Sequence, residues 1–244
     1  MEKIKLNTVH TSRTIMFLEL EKVMNFSIEQ DNYIESMQNN VFGKKSQDGI
    51  KKTGSFLTQL YGFDVSSHYF KAFKHFWLEC DLEEKVLISF VFALKNDYLL
   101  QQSISVVANS ISGDKVSTEL FTENLEKYHP NRFSQNTIGS VAKNIASSWK
   151  QAGFITGKVS NIRTIPQVTY KVVAFAILLS YLNEERGDFL IHSPTVKALC
   201  LSESKLREFA IEASRRDFIQ YQNAGNITSI SFDSLLNKIG INAI

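Results

Sequence analysis

The stretch SQNTIGSVAKNIASSWKQAGFITGK, residues 134–158, decides which fold the sequence predicts. Ser134 is a good N-cap, because its hydroxyl can accept a hydrogen bond from an early backbone N–H group. Apolar residues then recur every three or four positions and form one stripe, which predicts an amphipathic helix. The residues of this stripe are Ile138, Val141, Ala142, Ile145, Trp149 and Ala152. The closing AGFITGK favours the start of a β-hairpin directly after the helix.

The opposite face of this helix is small and polar throughout, with no acidic residue and no bulky apolar one. It consists of Asn136, Ser140, Lys143, Ser147 and Lys150. Short side chains allow close approach to DNA, and lysines can meet phosphates. Gln135 and Asn136 lie in the first turn, where recognition helices usually touch base edges. A DNA groove and an ordinary solvated helix face both fit this pattern.

Three further groups of basic residues are candidate DNA contacts. Lys158 and Arg163 follow the helix on a plausible wing, where they would contact the DNA backbone. A second group gathers four lysines with only one acid between them. Its members are Lys44, Lys45, Lys51 and Lys52. Arg215 and Arg216 end a later helix, where cations also stabilise the helix dipole, so a purely structural role explains them at least as well.

The composition favours a helical globular protein. Of the 244 residues, 43% are apolar, while only 3 are proline and 11 glycine. At 146–159 and again at 212–222, a helix ends in an apolar pair and enters a possible hairpin, which fits the winged-helix order of helix, helix and hairpin. We therefore expect a mainly α fold, a helical bundle with one or two winged-helix-like units carrying short β-hairpins. The turn at His129-Pro130-Asn131 predicts a boundary between an N-terminal helical domain, 1–128, and a C-terminal winged-helix-like domain, 129–244.

Charge and cysteine content bear on partners and location. The net charge of +2 is too weak by itself to imply nucleic acid. Cys80 and Cys200 lack a CxxC context, which favours buried thiols in a reducing compartment. The N-terminal segment has no apolar signal-peptide core, and the longest apolar run, 172–182, is too short to span a bilayer. We expect a cytoplasmic protein without a membrane partner.

Motifs for catalysis or cofactor binding are missing from the sequence. It contains no GxxxxGK[ST], GxGxxG or GxSxG pattern. No histidine stands at metal-ligand spacing from a carboxylate, so we expect no metal site and no cofactor. The acidic run Glu184, Glu185 and Asp188 leaves a cryptic metal nuclease as an alternative, but a charged helix end followed by a turn explains it better. We expect a protein that is not an enzyme.

Several fragments together resemble a known family. They are HTSRTIMFLEL (10–20), NNVFGKKS (39–46), FLTQLYGF (56–63), FSQNTIGSVAKNIASSWKQAGFITGK (133–158) and IEASRRDFIQYQNAG (211–225). Their order resembles the BrxA-like accessory proteins of BREX bacterial phage-defence systems. Ser12-Arg13 resembles the early Ser-Arg helix of that family, and Asn40, Lys44 and Ser46 resemble its Asn-rich turn. The resemblance implies a helical protein with winged-helix character that binds double-stranded DNA and works with larger subunits of the defence system.

The leading hypothesis is thus a non-enzymatic DNA-binding accessory subunit of a phage-defence system, with double-stranded DNA and other defence subunits as partners. The alternative is a protein-interaction scaffold without direct DNA contact. The modest net charge and the many aromatic residues of 68–92 motivate that alternative.

Overall fold

Helices dominate the structure, a computed structural model that describes residues 8–224 and 227–241. The described helices are α1 (Phe17–Ser27), α2 (Tyr33–Gln38), α3 (Gln47–Tyr61), α4 (His68–Glu79), α5 (Leu82–Asn96), α6 (Tyr98–Gln102), α7 (Ile104–Ala108), α8 (Thr118–Tyr128), α9 (Gln135–Gln151), α10 (Tyr170–Leu182), α11 (Asp188–Ile191), α12 (Pro194–Lys197), α13 (Glu203–Arg215) and α14 (Asp233–Lys238). Two antiparallel hairpins join them, built from β1 (Ile155–Thr156) with β2 (Ile162–Arg163) and β3 (Gln220–Ala224) with β4 (Ile227–Ser231). The predicted mainly α fold with short hairpins is confirmed.

The chain forms two compact units, and each is built from two separate stretches. The first unit takes Met1–Val65 and Asn96–Ile165, and the second takes Ser66–Lys95 and Pro166–Ile244. The predicted boundary between residues 128 and 129 falls inside the first unit. Helices α8 and α9 on either side of it pack against each other. Pro130 therefore separates two packed helices and does not separate two domains.

Helix α9 is anchored in the first unit by its apolar stripe. Ile138, Val141, Ile145 and Trp149 are all buried, as the spacing predicts. The predicted N-cap is also present, since the Ser134 hydroxyl accepts a 3.3 Å hydrogen bond from the backbone N–H of Thr137. Burial of one large aromatic side chain contributes roughly 1.5–3 kcal/mol. The stripe therefore fixes which face of α9 points away from the core.

A small sheet gives the first unit the order of a winged helix. Strands β1 and β2 pair with Ile155 opposite Arg163 and Thr156 opposite Ile162. Ile162 also forms an antiparallel bridge with Lys115, so the segment before α8 lies on the other side of β2. The order along the chain is thus α7, the Lys115 segment, α8, α9, β1 and β2. In this order α9 occupies the position of the recognition helix and the 157–161 turn that of the wing.

The second unit is organised around α10, whose residues Val172–Leu182 are buried on all sides. Phe175 lies at its centre, with its ring 5.2 Å from that of Phe76 and 6.0 Å from that of Phe73 on α4. Phe92 on α5 closes this aromatic cluster, 4.8 Å from Phe73. Helices α12 and α13 and the β3–β4 hairpin then repeat the order helix, helix, hairpin. Although α10 is apolar throughout, no described helix has the length and apolarity needed to cross a bilayer.

A buried carboxylate, Asp97, holds the start of the described chain in the first unit. Its oxygens accept hydrogen bonds from the N–H groups of Leu99 and Leu100 at 3.1 Å, which caps α6. They also accept bonds from the N–H of Val9 at 2.6 Å and from the Thr8 hydroxyl at 3.0 Å. One side chain therefore ties residues 8–10 to the first turn of α6.

His10 extends this network to α9. Its Nδ1 lies 2.8 Å from the Asp97 carboxylate, and its Nε2 lies 2.8 Å from the hydroxyl of Ser148. That hydroxyl also accepts a 3.1 Å bond from the backbone N–H of Ile15. Asn144 on α9 donates its side-chain amide to the His10 carbonyl at 3.0 Å. Hydrogen bonds thus hold the segment 8–15 against one side of α9.

The Asp97 network should make the first unit sensitive to the charge of this carboxyl. Burial alone would raise the pKa of Asp97, but adjacent His10 and hydrogen bonds from Val9 and Leu100 outweigh it and hold the pKa below its usual value of 3.8. The depressed folded-state pKa means that the ionised carboxyl stabilises the fold above the unfolded-state pKa. That stabilisation is lost as the pH falls through the folded-state value.

We expect Asp97→Asn to lower the free energy of unfolding at pH 7 by about 3 kcal/mol, because it removes one partner of a buried charged network. The difference from the wild-type chain should shrink as the pH falls below 3.8. Urea unfolding at several pH values measures both effects. Asp48→Asn is the matched control, since Asp48 is exposed and pairs with Lys52 on its own helix. An equal loss of stability in both variants would contradict the assignment.

Candidate nucleic-acid interface

The front of α9, which we define as Gln135, Asn136, Ser140, Lys143, Ser147 and Lys150, points away from the core. Its first four residues are exposed, and Ser147 and Lys150 are half-buried. At 17 residues, the helix is about 25 Å long. No carboxylate occurs anywhere along it. The structure therefore places these candidate residues together on one solvent-facing strip.

The N-terminal end of α9 combines exposed amides with an acid-free first turn. Gln135 and Asn136 are both exposed there. Their side-chain amides can pair bidentately with the edge of adenine in the major groove. The N-terminus of a helix also attracts phosphate through its unpaired N–H groups and its dipole. This end of the helix is thus chemically suited to both base and phosphate contacts.

The turn between β1 and β2 is held close to the C-terminal end of α9. The Lys150 ammonium donates a 2.7 Å hydrogen bond to the carbonyl of Gly157. Gly157 has a φ of 103°, and a Cβ at this position would lie 2.0 Å from the Ser160 carbonyl oxygen. Only glycine therefore fits this turn. The turn presents exposed Lys158 beside Val159, whose side chain is fully solvent-exposed.

Arg163 is not a DNA contact, and this prediction was wrong. Its side chain is 4% exposed. The guanidinium donates to the carbonyls of Val107 at 3.2 Å and Phe154 at 3.3 Å, and also to that of Thr164. The strand alternation turns Arg163 inward, where it links the end of α7 to both strands of the small sheet. A buried arginine that satisfies backbone carbonyls cannot reach a phosphate.

The basic group at residues 44–52 is partly neutralised. Lys44 is half-buried and pairs with Glu19 at 2.7 Å. Lys52 pairs with Asp48 at 2.8 Å on the surface of α3. Lys45 and Lys51 are exposed. Two of the four predicted contacts are thus engaged with carboxylates of the chain itself, which weakens the group as a phosphate site.

The helix in the equivalent position of the second unit, α13, carries a different surface. Arg207 pairs with Glu203 at 2.6 Å, and Lys205 pairs with Glu208 at 2.9 Å. Arg216 lies 3.4 Å from Glu212, and its guanidinium lies over the ring of Tyr170. Arg215 is exposed at the end of the same helix. Because carboxylates line α13, Arg215 and Arg216 face a mixed surface unlike the front of α9.

The residues behind the family resemblance have structural roles. The Asn40 side chain accepts a hydrogen bond from the backbone N–H of Lys44 and donates one to the backbone carbonyl of Lys44, both at 2.8 Å. Asn40 therefore closes the turn before α3. The Ser46 hydroxyl caps α3 by accepting a bond from the Gly49 N–H at 3.1 Å. The guanidinium of Arg13 lies over the Phe56 ring. These positions build the fold of the first unit and do not by themselves form a site.

The side chains of Asp97, His10 and Ser148 contact one another in the same sequence of contacts as a hydrolase triad, with the histidine between the other two. Sequence reasoning missed this cluster. All three side chains are 0% exposed. Ser148 lies inside α9 and donates its hydroxyl proton towards the Asn144 carbonyl at 3.1 Å. A substrate would have to pass through packed core to reach it. Since the three residues are 87 and 138 positions apart in sequence, no local pattern could have revealed the cluster, and its role is to hold segment 8–15 on α9.

The acidic run at 184–188 lies in the turn after α10. Arg186 within this run packs its guanidinium 3.9 Å from the centre of the Tyr181 ring. Its guanidinium also donates to the Tyr181 carbonyl at 2.9 Å. Across residues 8–224 and 227–241, no group of three His, Cys, Asp or Glu side chains is arranged to hold a metal ion. The run therefore has the geometry of a helix end.

Comparison with known proteins adds no assignment. Neither a family model, nor a curated protein, nor a solved structure matches this chain.

The same substitution should lower the stability much more at Arg163 than at Lys158. Arg163→Gln should lower the free energy of unfolding by about 3 kcal/mol, because it removes a buried charge that satisfies three carbonyls. Lys158→Gln should change it by less than about 0.5 kcal/mol, because this side chain is exposed. Thermal and urea unfolding of both variants measure the difference. Equal stability of the two variants would contradict the buried placement of Arg163.

Proposed function

We propose that the chain is a non-enzymatic, cytoplasmic accessory subunit of a bacterial phage-defence system, and that it binds double-stranded DNA through α9. The observation that carries the DNA proposal is the exposed, acid-free front of α9 in the recognition-helix position, followed by the wing with Lys158. Cys80 and Cys200 are both present as thiols, which is compatible with a reducing compartment.

The shape and side chains of α9 fit a major groove. The groove is about 12 Å wide and admits an α-helix. Ser140 and Ser147 are short enough to let the helix backbone approach the bases. Gln135 and Asn136 at the leading end then supply the amides that distinguish adenine from other bases. In this arrangement the first turn reads sequence, while Ser140 and Ser147 only allow close approach.

Phosphate contacts come from one lysine of the α9 front and one lysine of the wing. Lys143 is exposed on α9, and Lys158 is exposed on the wing. Lys150 has a different role, because its ammonium is bound to the Gly157 carbonyl and so fixes the wing relative to the helix. Two lysines at separate places on one surface can meet phosphates that flank a groove, which sets the register of the protein on the duplex.

The phage-defence part of the proposal rests on the resemblance to BrxA-like proteins in the fragments quoted above, and it implies larger defence subunits as partners. One of the two observations that favoured the scaffold alternative no longer supports it. The aromatic side chains of 68–92 that favoured it, among them Phe73, Phe76 and Trp77, lie in the core of the second unit. They are therefore not a surface for a partner.

Removing two positive charges from the interface should weaken duplex binding. Each phosphate contact contributes about 0.9 to the slope of log affinity against log salt, so Lys143→Gln with Lys158→Gln should lower the affinity roughly 60-fold at about 0.1 M salt. The slope itself should fall by about 1.8. Fluorescence anisotropy with a labelled duplex across a salt series measures both quantities.

A matched control removes two lysines elsewhere. Lys22 is exposed on α1, and Lys205 lies on α13, where it pairs with Glu208. Lys22→Gln with Lys205→Gln changes the net charge equally and should leave affinity and slope nearly unchanged. If both double variants lose the same affinity, attraction by net charge explains binding and the α9 interface is refuted. If the wild-type chain binds no duplex at low salt, the DNA proposal fails outright.

A further inference from the structure

The front of α9 has two edges, and its lysines lie along only one of them. Lys143 and Lys150 are seven residues apart, so they follow one another along the same edge of the helix. Lys150 is hydrogen-bonded to the wing, which places Lys158 beyond that same edge. Ser140 and Ser147 are also seven residues apart and form the other edge, which we call the serine edge. The cations of the proposed interface therefore lie on one side of the front.

Residues 11–13, which we call the N-terminal turn, lie beside the serine edge. The side-chain amide of Asn144 donates a 3.0 Å hydrogen bond to the His10 carbonyl, and that of Gln151 donates a 2.9 Å bond to the Thr14 hydroxyl. Both of these α9 residues are three or four positions from the residues of the serine edge, so they are its direct neighbours on the helix surface. Because His10 and Thr14 flank the N-terminal turn, it is held next to the front of α9.

The N-terminal turn presents only polar and basic side chains to solvent. Thr11, Ser12 and Arg13 are all exposed. The backbone of the turn is closed by 2.9 Å hydrogen bonds from the N–H groups of Ser12 and Arg13 to the Val9 carbonyl. Hydroxyl and guanidinium groups are among those that donate hydrogen bonds to phosphate oxygens. The turn therefore has a fixed backbone and the side chains of a phosphate contact.

Arg13 is positioned in advance for such a contact. Its guanidinium carbon lies 5.5 Å from the centre of the Phe56 ring, and its Nη1 donates a 2.9 Å hydrogen bond to the Ser12 carbonyl. A guanidinium has five N–H donors, so most of them remain for a ligand. Within the described part of the chain, no carboxylate pairs with Arg13, in contrast to Lys44. The positive charge of Arg13 is thus held in place without being neutralised.

We propose that the N-terminal turn binds the DNA backbone on the side of α9 opposite to the wing, with Arg13 on a phosphate and the hydroxyls of Thr11 and Ser12 beside it. This inference rests on the proposed binding of a duplex by α9. The major groove is bordered by a phosphate strand on each side, so a helix that enters it faces both strands. Lys143 and Lys158 serve one strand, and the N-terminal turn serves the other. Contacts to both strands fix the rotation of α9 within the groove.

Removing the charge of Arg13 tests this assignment with the full chain. Arg13→Gln should lower the affinity for a duplex about 8-fold at about 0.1 M salt, and the slope of log affinity against log salt should fall by about 0.9. The loss should be equal on an AT-rich and a GC-rich duplex, because a phosphate contact does not read the bases. Fluorescence anisotropy with the two labelled duplexes across a salt series measures these quantities.

Arg186 in the second unit provides the matched control. It is also an exposed arginine over an aromatic ring, 3.9 Å from the centre of Tyr181, and it also donates to a backbone carbonyl. Arg186→Gln therefore makes the same change in charge and in local packing, and it should leave affinity and slope unchanged. Circular dichroism and thermal unfolding check that both variants fold. Unchanged binding by Arg13→Gln, or an equal loss in the Arg186 control, would overturn the proposal.

A second variant tests the turn without removing the contact between Arg13 and Phe56. Thr11→Glu adds a carboxylate that repels phosphate, so it should weaken duplex binding by about 8-fold or more. Asn25→Glu makes the same change in net charge at an exposed position of α1 and should have no effect. If Thr11→Glu binds the duplex as tightly as the wild-type chain, the turn does not face the DNA backbone and the proposal fails.

Failure of the proposed function gives a different pattern of results. If the wild-type chain binds no duplex, or if Lys143→Gln with Lys158→Gln costs no affinity, α9 is not the interface and the inference about the turn falls with it. If that double variant loses affinity while Arg13→Gln and Thr11→Glu bind as the wild-type chain does, α9 binds DNA and only the N-terminal turn is refuted.

Discussion

The buried Asp97 carboxylate is the constraint on which the first unit depends. An ionised group without water must find partners within the protein, and Asp97 finds them in the first turn of α6 and in residues 8–10. Through His10 the same network reaches Ser148, on the side of α9 that faces the core. The apolar stripe of α9 packs into the core, and segment 8–15 is hydrogen-bonded to one side of the helix. The front of α9 therefore remains its solvent-facing side. The orientation of the candidate interface is therefore set by a network that shares no residue with it.

Local sequence patterns predicted the central elements of the first unit. The spacing of apolar residues predicted α9, Ser134 was recognised as its cap, and the AGFITGK segment predicted the hairpin of β1 and β2 that follows it. The division into units was not predictable in the same way. Pro130 ends a helix by local geometry, whereas a unit is defined by packing between stretches that are distant in sequence. The pairing of residues 8–65 with 96–165 has no local signature.

The same distinction explains which site residues were predicted. Gln135, Asn136, Ser140 and Lys143 are exposed because they lie opposite an apolar stripe, and such a stripe can be seen in the sequence. Arg163 is charged and follows a turn, so its local context favoured exposure. Its burial results from three carbonyl groups that belong to α7 and to the small sheet. Likewise, Glu19 neutralises Lys44 from 25 positions away in the sequence. Long-range partners decide the roles of these basic residues.

The modest net charge of +2 is compatible with a specific interface, because the two signs are unevenly distributed. The front of α9 has lysines and no acid, whereas Lys205 and Arg207 on α13 are paired with glutamates. On a uniformly basic surface, a duplex could bind in many orientations with similar energy. Ion-paired and acidic surfaces remove most of those alternatives, since they offer no net attraction or repel phosphate.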